Sequence, residues 1–471
     1  MARSSSVTRL LTPPAVAALL LSGCAAGGHG DVMAGPEVMG VGDPLFPGLG
    51  NGGYDVRSYG LALEYDPGSG RLAGTAEIVA RATRELRVFN LDLHRLSATA
   101  VTVDGAGARS VHDGDELTVR PGEAVPAGRE FRTVVRYEGE PGAIRDADGS
   151  EEGWLRTPGG ALAVGEPSGS MAWFPGNHHP SDKASFDIAV TVPEGLRAVS
   201  NGELASERTS GGRSTYRWRS AEPMATYLAT LAIGPYEMRS SRTASGLPVV
   251  TAVDPAVGTA VGTADSAVGK LSARLPEVLA WAEGLFGPYP FSSAGAIVVP
   301  DEVVGYALET QNRPVFPAGL FTPETLAHEI AHQWFGDSVT PKSWRDMWLN
   351  EGFATYAEWL WAEEFEGVPV RESFDAAFAD AENWAFPPAD PPSAAEVSSA
   401  PVYGRGAMVL HRVRREVGDG VFFRLLRGWA EEHRHGNAST ADFTAYAERL
   451  SGRDLGGVWD VWLYGDGRPR R

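Results

Sequence analysis

The chain has one cysteine in 471 residues, Cys24, so no disulfide can form within it. Positive charge is scarce: 60 acidic residues against 41 basic ones leave a net charge of −19 at pH 7. That balance excludes an extended nucleic-acid surface, because such binding draws most of its affinity from Lys and Arg neutralising phosphates. Only three of the basic residues are Lys, a compositional bias that carries no functional weight. Long apolar runs are missing, and no internal repeat is visible. What is present is a globular composition, 43% hydrophobic and 21% charged, with enough apolar mass for two or three compact domains.

The N-terminus carries Arg3 and Arg9, an apolar run over residues 15–21, then Ser22, Gly23 and Cys24. A charged start, a short apolar centre and a small-residue end are the three regions of a cleaved export signal. Seven apolar residues cannot span a bilayer core, which needs about 20 in a helix. Leu-Ser-Gly-Cys resembles the lipobox of exported lipoproteins, which implies lipidation of Cys24 and anchoring on the outer face of the cell membrane. The expected organisation is therefore a signal over residues 1–24 and a flexible Gly- and Pro-rich tether over 25–53.

From 54 to 240 short runs alternate between apolar and polar residues, most clearly at Phe186, Ile188, Val190 and Val192, which predicts an antiparallel β domain. From about 271 the apolar period becomes helical, so residues 241–471 are expected to form a mainly helical second domain. The fold class is thus multi-domain α+β.

The strongest chemical signal is His328-Glu329-Ile330-Ala331-His332. Thr322, Pro323 and Glu324 read as an N-cap, a first helical position and an acid at the positive end of the dipole, with Gly336 as a stop. Residues four apart share a helical face, so His328 and His332 can grip one metal ion while Glu329 stands beside them as general base. A catalytic zinc takes three protein ligands and keeps one open position. Glu351, with 18 residues between it and His332 and so room for a loop and a returning helix, is the candidate third ligand. Asp337 and Asp346 are candidates for orienting the imidazoles, and equally for solvated loop acids. His178, His179 and His411 lack paired spacing and read as surface or core residues.

Residues 328–356, HEIAHQWFGDSVTPKSWRDMWLNEGFATY, resemble the M1 family of zinc aminopeptidases, the gluzincin group that includes aminopeptidase N. Looser similarity covers roughly residues 54–464, including Trp173-Phe174-Pro175. The resemblance implies a saddle-like β domain before a thermolysin-like catalytic domain, one zinc per chain, and peptide substrates with a free N-terminus. It also implies a short form, since many members continue into a large helical domain. The family's Gly-x-Met-Glu-Asn signature corresponds to Tyr306-Ala307-Leu308-Glu309-Thr310, where the Glu is kept and the other three positions differ. Glu309, with Glu166 in Gly165-Glu166-Pro167, is then expected to bind the substrate amine. Tyr403, in a Tyr-Gly-Arg-Gly-Ala element with Arg405 in place of the family's Lys, is expected to stabilise the oxyanion. The alternatives are an epoxide hydrolase or endopeptidase on the same fold, or a non-catalytic peptide-binding surface lipoprotein.

Overall fold

The structure is a computed structural model that describes residues 40–257 and 266–470. The expected export signal, Cys24 and the first part of the expected tether lie outside the described residues. Among the described residues no helix is long and apolar enough to cross a membrane.

Period-two alternation builds the first domain. Along Lys183–Pro193 every second residue is buried, with Phe186, Ile188, Val190 and Val192 facing the core. This strand lies inside an eight-stranded sheet ordered Glu203–Ser210, Arg213–Ala225, Lys183–Pro193, Tyr54–Asp66, Arg71–Ala82, Glu130–Gly139, Ser97–Val103, Ala106–Gly107. The expected antiparallel pairing holds everywhere in this sheet except at its centre. There Tyr54–Asp66 runs parallel to Lys183–Pro193, with Leu61 opposite Ile188 and Leu63 opposite Val190. A parallel neighbour needs a crossover, and residues 67–182 between the two strands supply strands to this sheet, to a three-stranded sheet and to a five-stranded sheet. The five-stranded one contains Glu151–Thr157 and Gly160–Val164, and leads the chain toward the site.

The second domain begins earlier than its helical period suggests. Glu237–Arg242 pairs with Pro248–Val253, which joins Ala294–Val299 and Val315–Pro317 in a four-stranded sheet. The strand Glu237–Arg242 thus spans the expected boundary at 240. The last three strands are parallel, and Ala294–Val299 is buried at every position. A strand covered on both faces has no reason to alternate, so periodicity did not reveal it.

The longer helices of this domain are α1 (Ala267–Phe286), which precedes the strand Ala294–Val299, then α2 (Pro323–His332), α3 (Trp348–Trp361), α4 (Val370–Ala379), α5 (Gly406–Val417), α6 (Asp419–Glu432) and α7 (Thr440–Ser451). As expected, the Thr322 hydroxyl caps α2 by accepting from the Thr325 amide at 3.2 Å. The helix ends at His332, before Gly336. Beyond it the amides of Asp337, Ser338 and Val339 bond to carbonyls five residues back, so the coil widens and the Phe335 carbonyl is released from the helical ladder.

Two of the ties that join the domains involve buried charges. Residues 40–53, assigned from composition to the tether, are packed in their later part rather than extended. The buried Asp43 carboxylate accepts from the Leu45 and Phe46 amides, from Ser343 Oγ at 2.8 Å and the Trp344 amide at 3.0 Å, and faces His179 Nε2 at 3.2 Å. Asn51 Nδ2 donates to Asp92 at 2.7 Å. The second tie is Lys183 Nζ, which donates to the carbonyls of Asp337, Ser338 and Gly436 across the interface. Three N–H donors meeting three carbonyls leave the ammonium satisfied.

Candidate metal centre

α2 presents His328 and His332 on one face, their rings 4.7 Å apart. α3 returns against this face and delivers Glu351 from its first turn. Glu351 Oε2 lies 3.2 Å from His328 Nε2 and 3.4 Å from His332 Nε2, so the three expected ligands converge. All three are buried, and their ligand atoms fall within 4.8 Å of one another.

The far sides of both rings are fixed. His332 Nδ1 lies 3.1 Å from the Phe335 carbonyl that the widened coil releases. A carbonyl can only accept, so Nδ1 carries a proton and Nε2 is the nitrogen turned toward Glu351 and offered to a metal. His328 Nδ1 lies 2.6 Å from Glu358 Oε1. Asp337 and Asp346 do not take this role: the Asp346 carboxylate accepts from Thr440, and Asp337 bonds to neither ring. Sequence reasoning passed over Glu358, although it lies seven residues from Glu351 on the same face of α3 and so carried a periodic signal.

Packing sets the distance between α3 and the next functional element. Gly352, beside Glu351, meets Gly406 at the start of α5 so closely that a Cβ on Gly352 would lie 2.8 Å from the Gly406 carbonyl carbon. Just before this crossing the chain makes a wide π-type turn over Pro401–Arg405, which holds Tyr403 with its ring 6.1 Å from His328 and nearly parallel to it. Arg405 anchors that turn. Its guanidinium donates to the carbonyls of Trp462, Phe386 and Gly465 and stacks on Trp384. The family's Lys is thus replaced by a residue tying the turn to the end of the domain.

The remaining acids come from loops. Glu309 is buried, and its backbone carbonyl accepts from Gln333 Nε2 at 3.1 Å, one residue past α2. Gln333 Oε1 accepts in turn from the Asn312 amide and Tyr289. Tyr306 reaches across the domain interface, its hydroxyl donating to the Glu151 carbonyl at 3.2 Å. Glu166, from the first domain, offers a carboxylate oxygen within 4.8 Å of those of Glu309 and Glu351. His178 and His179 are buried, His178 with Nε2 at the Phe174 carbonyl and His179 against Asp43; His411 is also buried, so all three belong to the core.

Glu166, Glu309, Glu329, Tyr403 and the three ligands line one cavity of about 480 Å³. Its charge is lopsided. Burial pushes the Glu329 carboxyl up to about 8, opposed by the imidazoles and aided by Glu309 and Glu351. Burial likewise raises Glu166 and Glu309, each reinforced by neighbouring carboxylates. For His332 burial alone would lower the pKa, but Glu351 and Glu309 hold it up at about 9. Glu329 Oε2 and Glu309 Oε1 are buried without a hydrogen-bond partner. A nitrogen–nitrogen–oxygen donor set beside such uncompensated carboxylates fits a divalent zinc ion and a cationic substrate group. Burial, with Glu351 and Glu166, raises the Tyr403 phenol well above 10, so it remains a neutral donor.

Residues 56–228 match the Peptidase M1 N-terminal domain, and residues 321–462 match the Peptidase family M1 domain. The chain is 28% identical over 340 residues to Aminopeptidase M1 of Arabidopsis thaliana, covering 66% of this chain and 37% of that protein. It is 25% identical over 459 residues to Aminopeptidase M1-D of Oryza sativa subsp. japonica, covering 88% of this chain and 50% of that protein. The chain thus spans half or less of the length of these two curated relatives. Among solved structures, the M1 zinc metallopeptidase of Deinococcus radiodurans superposes with a TM-score of 0.85 at 29% identity, over 92% of this chain and 98% of that one. A Glu-to-Ala mutant of the same protein bound to a Tyr-Ser-Ala substrate gives 0.83 at 30% identity, over 92% and 99%.

Proposed function

The chain belongs to peptidase family M1, and on that premise we propose that it is a zinc-dependent aminopeptidase releasing single residues from peptide N-termini. One observation carries the reading: carboxylate oxygens of Glu166, Glu309 and the ligand Glu351 lie within 4.8 Å of one another. An ammonium group held by the first two sits close to the metal, so only about one residue fits between the amine and the reacting carbonyl.

His328, His332 and Glu351 would hold the ion. Bound zinc supplies Lewis acidity, polarising a carbonyl and lowering the pKa of water toward about 7. The chain's own groups do the rest. Glu329 removes a proton from the attacking water and passes it to the departing amine. The neutral Tyr403 hydroxyl donates to the oxygen that gains charge as the carbonyl carbon becomes tetrahedral. Glu358 and the Phe335 carbonyl keep the imidazoles in one tautomer. Tyr306 and Leu308, lining the same cavity, bound the space for the first side chain.

Glu329→Gln is the test. It should keep stoichiometric zinc by elemental analysis and lose about 10²–10⁴-fold in kcat; a variant that turns over normally would refute the assignment. We further propose that the protein is exported and lipid-anchored through Cys24, which the signal-like start and lipobox-like ending support. Cys24→Ser should then release it from the membrane fraction.

A further inference from the structure

A second cavity, of about 360 Å³, opens between the domains and shares no lining residue with the metal centre. The strands Arg197–Ser200, Glu203–Ser210 and Arg213–Ala225 supply one wall, and Glu237–Arg242 with Pro248–Val253 supplies the other. Its volume lies at the small end of ligand sites, about 300–1,000 Å³.

Its charge runs against the rest of the molecule. On a chain of net charge −19, three guanidiniums, Arg197, Arg242 and Arg313, line the cavity against one carboxylate, Glu203. Arg313 is 1% exposed, and its guanidinium lies over the Trp218 ring at 4.5 Å. Nη1 donates to the Ser200 carbonyl, whereas Nε is buried with no partner. Among the described residues Arg313 forms no ion pair with a carboxylate. Nearer the mouth, Arg242 bonds to the Gly246 carbonyl and pairs with no carboxylate among the described residues, and Arg197 has a loose contact with Glu207 at 3.9 Å. A buried guanidinium with a donor unused and only the more distant Glu203 carboxylate as counter-charge gains from an anion that completes it. The remaining walls are apolar, with Leu204, Trp218, Met238 and Val250 among them.

We propose that this cavity binds a small organic carboxylate with an aromatic or branched apolar body, its carboxylate held by the Arg313 and Arg242 guanidiniums and its body against Trp218, Leu204 and Met238. A forked guanidinium matches a carboxylate in two-point geometry, and the apolar wall selects a ligand that is more than a bare ion. Both domains contribute walls, so the occupant also fastens their interface and raises thermal stability by linkage. The site is separate from the peptide-cleaving cavity.

The test is calorimetric titration of the full chain with indole-3-acetate and with its uncharged isostere indole-3-acetamide, repeated on Arg242→Glu. Arg242 is exposed and remote from the metal, so its reversal should leave folding and hydrolysis of aminoacyl amides intact. The acetate should bind once per chain and saturably, the amide at least tenfold more weakly, and Arg242→Glu should weaken the acetate at least tenfold. No saturable binding, equal binding of acid and amide, or acetate affinity untouched by Arg242→Glu would each overturn the proposal.

Discussion

The two halves of the active cavity are built differently. The metal half rests on two packed helices, α2 and α3, where backbone hydrogen bonds fix ligand spacing before any side chain is considered. The amine half rests on loops: Glu309 follows an irregular stretch held by Gln333, and Glu166 belongs to the other domain. A helix carries its geometry in its period, whereas a loop depends on whatever it touches. The metal half should therefore tolerate loss of interdomain ties, and the amine half should not.

Gly352→Ala strikes hardest at the helical half. A methyl at 2.8 Å from Gly406 backbone must push α3 and α5 apart, costing about 1–3 kcal/mol. A shift on the order of 1 Å between Glu351 and Tyr403 should cost about 10²-fold in kcat, readable in steady-state kinetics beside a thermal melt. Unchanged kcat would show that the crossing does not position these groups.

Glu358→Gln separates ligand orientation from ligand identity. With the donor set intact, zinc affinity should fall about 10–100-fold, measured by competition with a chelator, and KM for peptides should barely move.

The ties come next. Burial alone would raise the Asp43 pKa, but bonds from His179, Ser343 and the Leu45 and Phe46 amides hold it far below the usual carboxylate range. A lowered folded-state pKa means that Asp43 stabilises the fold above its unfolded pKa, near 3.9. That contribution is lost as pH falls from there toward the folded pKa. Asp43→Asn should cost about 1–3 kcal/mol at neutral pH, and the gap to the parent should shrink in denaturant melts below about pH 4. A gap that widens on acidification would contradict the sign. Zinc affinity should not change.

Tyr306→Phe is the gentlest cut, removing one hydrogen bond to the Glu151 carbonyl. A loss of about 1 kcal/mol corresponds to roughly a fivefold rise in KM, with zinc content constant. An altered zinc content with KM unmoved would reverse the division between the halves.

The same division governs what the sequence disclosed. His328, His332 and Glu351 were readable because helical period and spacing are local properties, and the alternation around Phe186 exposed the first sheet for the same reason. Glu166 and Glu309 needed the family resemblance, since nothing local joins residues from separate domains. The strand Ala294–Val299 was hidden by burial on both faces. Residues 40–53 looked like tether because Asp43 finds its partner Trp344 across 301 positions of chain, which composition cannot record.

We propose that an amine-binding carboxylate pair stands about one residue from the metal. The most direct measurement is kcat/KM of the zinc-loaded chain for a leucyl chromogenic amide beside its N-acetylated form. The free amine should be cleaved and the acetylated form should be inert; comparable cleavage of both would contradict the account.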